Sequence, residues 1–96
     1  MKGHIPDIVF RSTAATQAAT AQAWYEMQRK GLGAEFALNL EAATQRAARN
    51  PEHFPMVHGQ VRRAFLKRFP YALFFLVEPG RMVVLSCLHT RQEPKY

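Results

Sequence analysis

The feature that most constrains this chain is a pair of apolar runs, Tyr71 to Val77 and Met82 to His89, separated only by Glu78-Pro-Gly-Arg81. Proline followed by glycine suits the two central positions of a type II turn, so the two runs read as an antiparallel hairpin. Side chains alternate across a strand, which places Tyr71, Leu73, Phe75 and Val77 on one face and Ala72, Phe74 and Leu76 on the other. In the next strand Val83, Leu85 and Cys87 stand opposite Met82, Val84 and Leu88. Both faces of this hairpin are apolar, and both call for cover.

Upstream, Asp7-Ile-Val-Phe-Arg11 is β-branched and aromatic and predicts a first strand. A helix follows from Thr13 to Lys30, capped by Ser12 or Thr13, free of Pro and Gly, and closed by Arg29, Lys30 and Gly31. Trp24 and Met27, three apart, are its expected core residues, with the Tyr25 hydroxyl at the surface. Gly31-Leu-Gly33 is a tight connection to a second helix, about Ala34 to Asn50, whose Phe36, Leu40, Ala43 and Ala47 fall on one face. Asn50-Pro51 ends it. Helices joined this briefly pack antiparallel. Residues 51 to 59, with two prolines and a glycine, read as a loop, and Gln60 to Arg68 as a strand, separated from the next by Phe69-Pro70. The predicted fold is α+β over one domain spanning 1–96: a strand, an αα-hairpin, then a three-stranded antiparallel meander. The hairpin is expected to lie on one face of a sheet whose centre holds Leu73, Phe75, Val83 and Leu85. No other helix is left for the opposite face, so an exposed apolar sheet surface is expected, which marks a binding surface.

Charge is distributed unevenly. Residues 1–59 carry six Lys and Arg against five Asp and Glu, whereas residues 60–96 carry seven against two. The C-terminal part thus accounts for most of the net charge of +6 and calls for an acidic partner, nucleic acid or an acidic protein segment. Arg62, Arg63, Lys67 and Arg68 are the candidate binding cations, although alternation along a strand turns some of them to solvent. One cysteine, Cys87, excludes an internal disulfide and reads as a small buried side chain. His53 and His58 share a loop without a carboxylate or cysteine at a helpful spacing, so neither a metal nor another cofactor is expected. No apolar run reaches the roughly 18 residues of a membrane span, and MKGHIPDIVF lacks the apolar core of a signal peptide, so a cytoplasmic protein with no membrane partner is expected.

Four stretches in order, WYEMQRKGLGAEF at 24–36, NPEHFP at 50–55, VRRAFLKRFPYALFFLV at 61–77 and the closing VVLSCLHTRQEPKY, resemble the RelE/ParE superfamily of bacterial type II toxin–antitoxin toxins. More narrowly they are similar to its ParE-type, plasmid-stabilisation branch. The resemblance implies a growth-inhibiting toxin of α+β fold whose sheet surface is occupied by a cognate antitoxin. It also implies one of two activities: RelE-like members cleave mRNA on the ribosome, and ParE-like members act on DNA gyrase and are not enzymes. For the first, Arg81, His89, Arg91 and Tyr96 are the catalytic candidates, since cleavage through the 2′-hydroxyl needs an acid, a base and cations around the phosphorane. Against it, Ala72 stands where nuclease members usually carry an arginine. The balance favours gyrase, with the ribosome-dependent endonuclease as the alternative.

Overall fold

The computed structural model describes residues 6–94 and 96. The elements are β1 (Asp7–Phe10), α1 (Ser12–Gln28), α2 (Leu32–Arg49), a 3₁₀ turn (Pro51–His53), β2 (Met56–His58), β3 (Val61–Phe65), β4 (Tyr71–Glu78) and β5 (Arg81–His89). The strands form one sheet in the order β1-β5-β4-β3-β2. β1 runs parallel to β5 and every other pair is antiparallel. The α+β order expected from the sequence is found, and the meander carries one strand more than expected: the segment read as a loop contains β2. The strand expected over Gln60 to Arg68 is shorter, because the chain turns away after Phe65 and leaves Lys67 and Arg68 outside the sheet.

α1 and α2 pack against each other and cover one face of the sheet. On α2 the expected face is the observed one, with Phe36, Ala43 and Ala47 fully buried and Leu40 packed beside them. On α1 the expectation fails. Trp24 is 55% exposed and Met27 84%, while the buried stripe is Ala14, Ala18, Ala21 and Tyr25, at i, i+4, i+7 and i+11. A stripe of methyl groups lets α1 approach β5 closely, and an indole there would hold it off. Tyr25, whose hydroxyl was expected at the surface, is half-buried, and its ring joins an aromatic cluster: it lies 5.3 Å from Phe36 and 4.8 Å from Phe69, and Tyr71 lies 5.2 Å from Phe36.

The ends of the helices also differ from expectation. Arg11 occupies the N-cap position of α1 without a side-chain hydrogen bond, and Arg29 already has extended backbone, so neither it nor Lys30 belongs to the last turn. Gly31 precedes α2 at φ +91°, a conformation that favours glycine. The Glu26 carboxylate accepts the Gly31 N–H at 3.1 Å and the Gly33 N–H at 3.0 Å, placing a negative charge at the positive end of α2. At the β4–β5 turn, Gly80 at φ +74° supplies the positive φ that a type II turn needs after proline.

One irregularity rearranges the sheet faces. Phe74 pairs with Ser86 but Phe75 pairs with Val84, so Leu85 is an extra residue in β5. This bulge defeats the simple alternation expected for β5. Met82, Val84 and Cys87 lie in the helix-side core with Leu73 and Phe75, whereas Val83, Leu85 and Leu88 join Val61, Ala72 and Phe74 on the other side. Val83 and Leu85 are therefore not under the helices. Past Val84, β1 no longer flanks β5, and Gln17 of α1 takes its place by accepting the Cys87 N–H at 2.8 Å.

The second sheet face is not bare. None of Val61, Ala72, Phe74, Val83, Leu85 and Leu88 is more than 7% exposed. The bulge sharpens the local twist, so these side chains bury one another, and Val57 and Leu76 pack at their margin. Part of the cover comes from the segment after β5, whose Pro94 and Tyr96 lie over Ala72, Phe74 and Leu88.

Candidate functional site

The basic strand β3 is where the second face acquires chemistry. Arg63 pairs with Phe74, which puts its side chain on this face, and Phe65, two residues on, follows it there. The Arg63 guanidinium lies 4.6 Å from the centre of the Phe65 ring, a cation–π contact. Its Nε is buried and has no hydrogen-bond partner. Tyr96 stacks on His58 of β2, ring centres 5.0 Å apart, and meets Phe74 edge-on at 5.2 Å. Arg63, Phe65, Phe74, Leu88, Pro94 and Tyr96 enclose a cavity of about 250 Å³ with no acidic residue in its lining. A guanidinium is a donor on every nitrogen, so a site with a buried unused N–H and no acidic side chain is suited to receive an acceptor, most favourably an anion.

The other expected cations are elsewhere. Arg62 faces the helix side at the sheet margin and donates to the Phe54 carbonyl at 2.7 Å. Lys67 is exposed in the turn after β3. Arg68 reaches back to α2, where it pairs with Glu35 at 3.0 Å and its backbone N–H donates to Asn39. Of the four, only Arg63 contributes to the second face.

The catalytic candidates converge only in part. Arg81 begins β5 and pairs with Glu78 at 2.7 Å, while His89 ends the same strand, about 26 Å away at the usual rise per residue. The His89 ring meets Tyr71 edge-on at 5.2 Å, and its Nδ1 accepts the Arg91 N–H at 3.1 Å. His89 thus borders a groove of about 700 Å³ between α1 and β5, lined also by Thr16, Thr20, Trp24, Tyr25, Tyr71 and Gln92. Arg91 is exposed. Of the four, His89 and Tyr96 line the Arg63 cavity, His89 standing between it and the α1 groove. His58, Phe65 and Phe74 were not singled out for this site by the sequence; the i, i+2 spacing of Arg63 and Phe65 was the one available signal, and His58 needed β2 to bring it there.

Cys87 is buried between α1 and β5, and burial pushes its thiol up to about 12 from an ordinary 9.0. Burial likewise raises Tyr25 and Tyr71. Among the described residues no three His, Cys, Asp or Glu side chains gather as metal ligands, and no helix is long and apolar enough to cross a membrane.

No family model and no curated protein matches the chain by sequence. Solved structures do. A chain of the chromosomal ParDE TA system from P. aeruginosa superimposes with a TM-score of 0.78 at 13% identity, over 91% of this chain and 98% of that one. A chain of the toxin–antitoxin complex RelBE2 from Mycobacterium tuberculosis gives a TM-score of 0.63 at 19% identity, over 92% and 94%. With nearly the full length of both chains matched, this chain shares the fold of those two chains.

Proposed function

We propose that this chain is the toxin of a type II toxin–antitoxin pair, inhibiting growth when free, neutralised by a cognate antitoxin, and acting in the cytoplasm on DNA gyrase by binding rather than by catalysis. The observation that carries the choice of mechanism is the separation of the candidate cations from the other candidates: Arg81 is ion-paired at the far end of β5 and Arg91 is exposed, and neither lines the cavity that His89 and Tyr96 share. Proton transfer and phosphorane stabilisation need their groups within hydrogen-bond reach of one phosphate, which Arg81 and Arg91 do not offer beside His89 and Tyr96. The alternative, ribosome-dependent cleavage of mRNA, draws its support from Arg63, His89 and Tyr96, which bring a cation, an imidazole and a phenol around one cavity.

Expression without an antitoxin separates the two. Filamentous cells and an SOS response that precede any fall in protein synthesis are the expected result. Early arrest of translation, with codon-dependent mRNA cleavage on purified ribosomes that is lost in Tyr96→Ala, would sink the gyrase reading.

A further inference from the structure

Where β1 stops at Phe10, the outer edge of β5 is left without a neighbouring strand, and side chains satisfy it instead. Gln17 Oε1 accepts the Cys87 N–H at 2.8 Å, Gln92 Oε1 accepts the His89 N–H at 2.8 Å, and His89 Nδ1 accepts the Arg91 N–H at 3.1 Å. A backbone N–H only donates, so each contact fixes which end of the side chain is turned to the backbone. What remains of each is a donor: the amide nitrogens of Gln17 and Gln92 and the Nε2 of His89, without hydrogen-bond partners among the described residues.

All three side chains line the groove between α1 and β5. Its wall is a run of aromatic rings, Trp24 to Tyr25 at 5.1 Å, Tyr25 to Tyr71 at 6.1 Å and Tyr71 to His89 at 5.2 Å, each edge-on to the next. Trp24 stands on this wall although the packing of α1 against the sheet makes no use of it. Among the described residues no Asp, Glu, Lys or Arg lines the groove, in a chain of net charge +6. A charged ligand loses hydration there without meeting a counter-charge, whereas a planar ring gains contact with the aromatic wall. A volume of about 700 Å³ lies within the range of roughly 300–1,000 Å³ that small-molecule sites occupy.

We propose that this groove is a binding site for an uncharged, planar aromatic molecule bearing a carbonyl oxygen, its ring against Trp24 and its oxygen on the amide nitrogen of Gln17. Gln17 is the anchor because it is half-buried between helix and strand, whereas Gln92 is exposed at the rim. The edge of β5 thus sets the polarity of the ligand: it takes up the acceptor atoms of the three side chains and leaves their donors. The hydroxyls of Thr16 and Thr20 serve in either role and set no preference. Binding here is independent of whether the chain inhibits growth.

The test is an NMR titration of the full, isotope-labelled chain with coumarin, which carries the carbonyl, and with naphthalene, which does not. Trp24 is the one tryptophan of the chain, so its indole N–H is an unambiguous reporter. Coumarin is expected to shift that signal together with the side-chain amide of Gln17. Gln17→Glu keeps an acceptor for the Cys87 N–H and removes the donor, so it should weaken coumarin about fivefold, as loss of one hydrogen bond does, and leave naphthalene unchanged. Trp24→Ala should weaken both about tenfold. Thermal melting and the Cys87 amide signal establish that each variant keeps its fold; should Gln17→Glu not fold, Gln92→Glu carries the same comparison at the rim. No shift at either reporter, or a coumarin affinity indifferent to loss of the donor, would overturn the proposal. So would tighter binding of a carboxylated coumarin that Arg63→Gln removes, which moves the ligand to the Arg63 cavity. Shifts of the Trp24 indole on concentrating the chain alone would overturn it as well, by giving the groove to a second copy.

Discussion

Cys87 shows how a residue with reactive chemistry is made inert. It sits just past the β5 bulge, its N–H is taken by Gln17, and its thiol is packed in the core beneath α1. Burial disfavours the thiolate and pushes the pKa to about 12 from an ordinary 9.0, so the nucleophilic fraction at pH 8 falls about a thousandfold. Iodoacetamide at pH 8 should therefore alkylate Cys87 only in denaturant, and rapid modification of the native chain would show that α1 opens readily. The same shift fixes a sign for stability. Between pH 9 and 12 the unfolded thiol loses its proton while the folded one keeps it, so the stability it contributes is intact below 9 and lost as pH rises through 12. The half-buried phenols of Tyr25 and Tyr71, raised by the same cause, push in the same direction. Urea midpoints should fall on going from pH 8 to 11, and less steeply in Cys87→Ala.

The helical hairpin was legible where large apolar residues carried the pattern. Phe36, Leu40, Ala43 and Ala47 announced the inner face of α2 because phenylalanine and leucine anchor it. α1 was not, since its inner face is mostly alanine and the residues that look like core, Trp24 and Met27, are the ones left outside. The β5 bulge was invisible for a related reason: with both faces of the strand apolar, no polar residue marks where alternation slips. Three-residue β2 offered too short a run to read. The connection Gly31-Leu-Gly33 was recognised as a turn, but its partner Glu26 was not, because the contact depends on how the hairpin folds back. A Cβ at Gly33 would stand 2.9 Å from the Gln22 carbonyl oxygen and 3.1 Å from Glu26 Cβ, with backbone on one side that cannot move away. Gly33→Ala should cost about 1–3 kcal/mol, the usual penalty of overpacking, read from urea denaturation; a neutral result would mean the two helices can slide apart.

At the scale of the molecule, the sequence revealed that cations concentrate in the C-terminal part, but not that the fold disperses them. The shortness of β3 sends Arg68 to Glu35 on α2, the pleat separates Arg62 from Arg63, and the length of β5 keeps Arg81 far from His89. The Arg63 cavity could not be read beforehand because it is assembled from β3, β4, the end of β5 and the segment after it, whose register the sequence does not give. This dispersal has a direct consequence for activity. A residue that transfers a proton or stabilises a developing charge typically contributes a hundredfold or more in rate, so its removal should abolish growth inhibition if cleavage is the cause. Arg81 is committed to Glu78 in an exposed ion pair worth about 0–1 kcal/mol, and His89 is committed to Tyr71 and the Arg91 N–H. Arg81→Ala and His89→Gln should therefore leave the chain folded and its toxicity within about threefold of the parent, measured as surviving colonies after induction, since Arg81 lies outside the Arg63 cavity and glutamine keeps a polar side chain at the edge His89 shares with it. Loss of toxicity in His89→Gln, with the melting temperature unchanged, would place the ring at a reacting phosphate and return the chain to the nuclease branch.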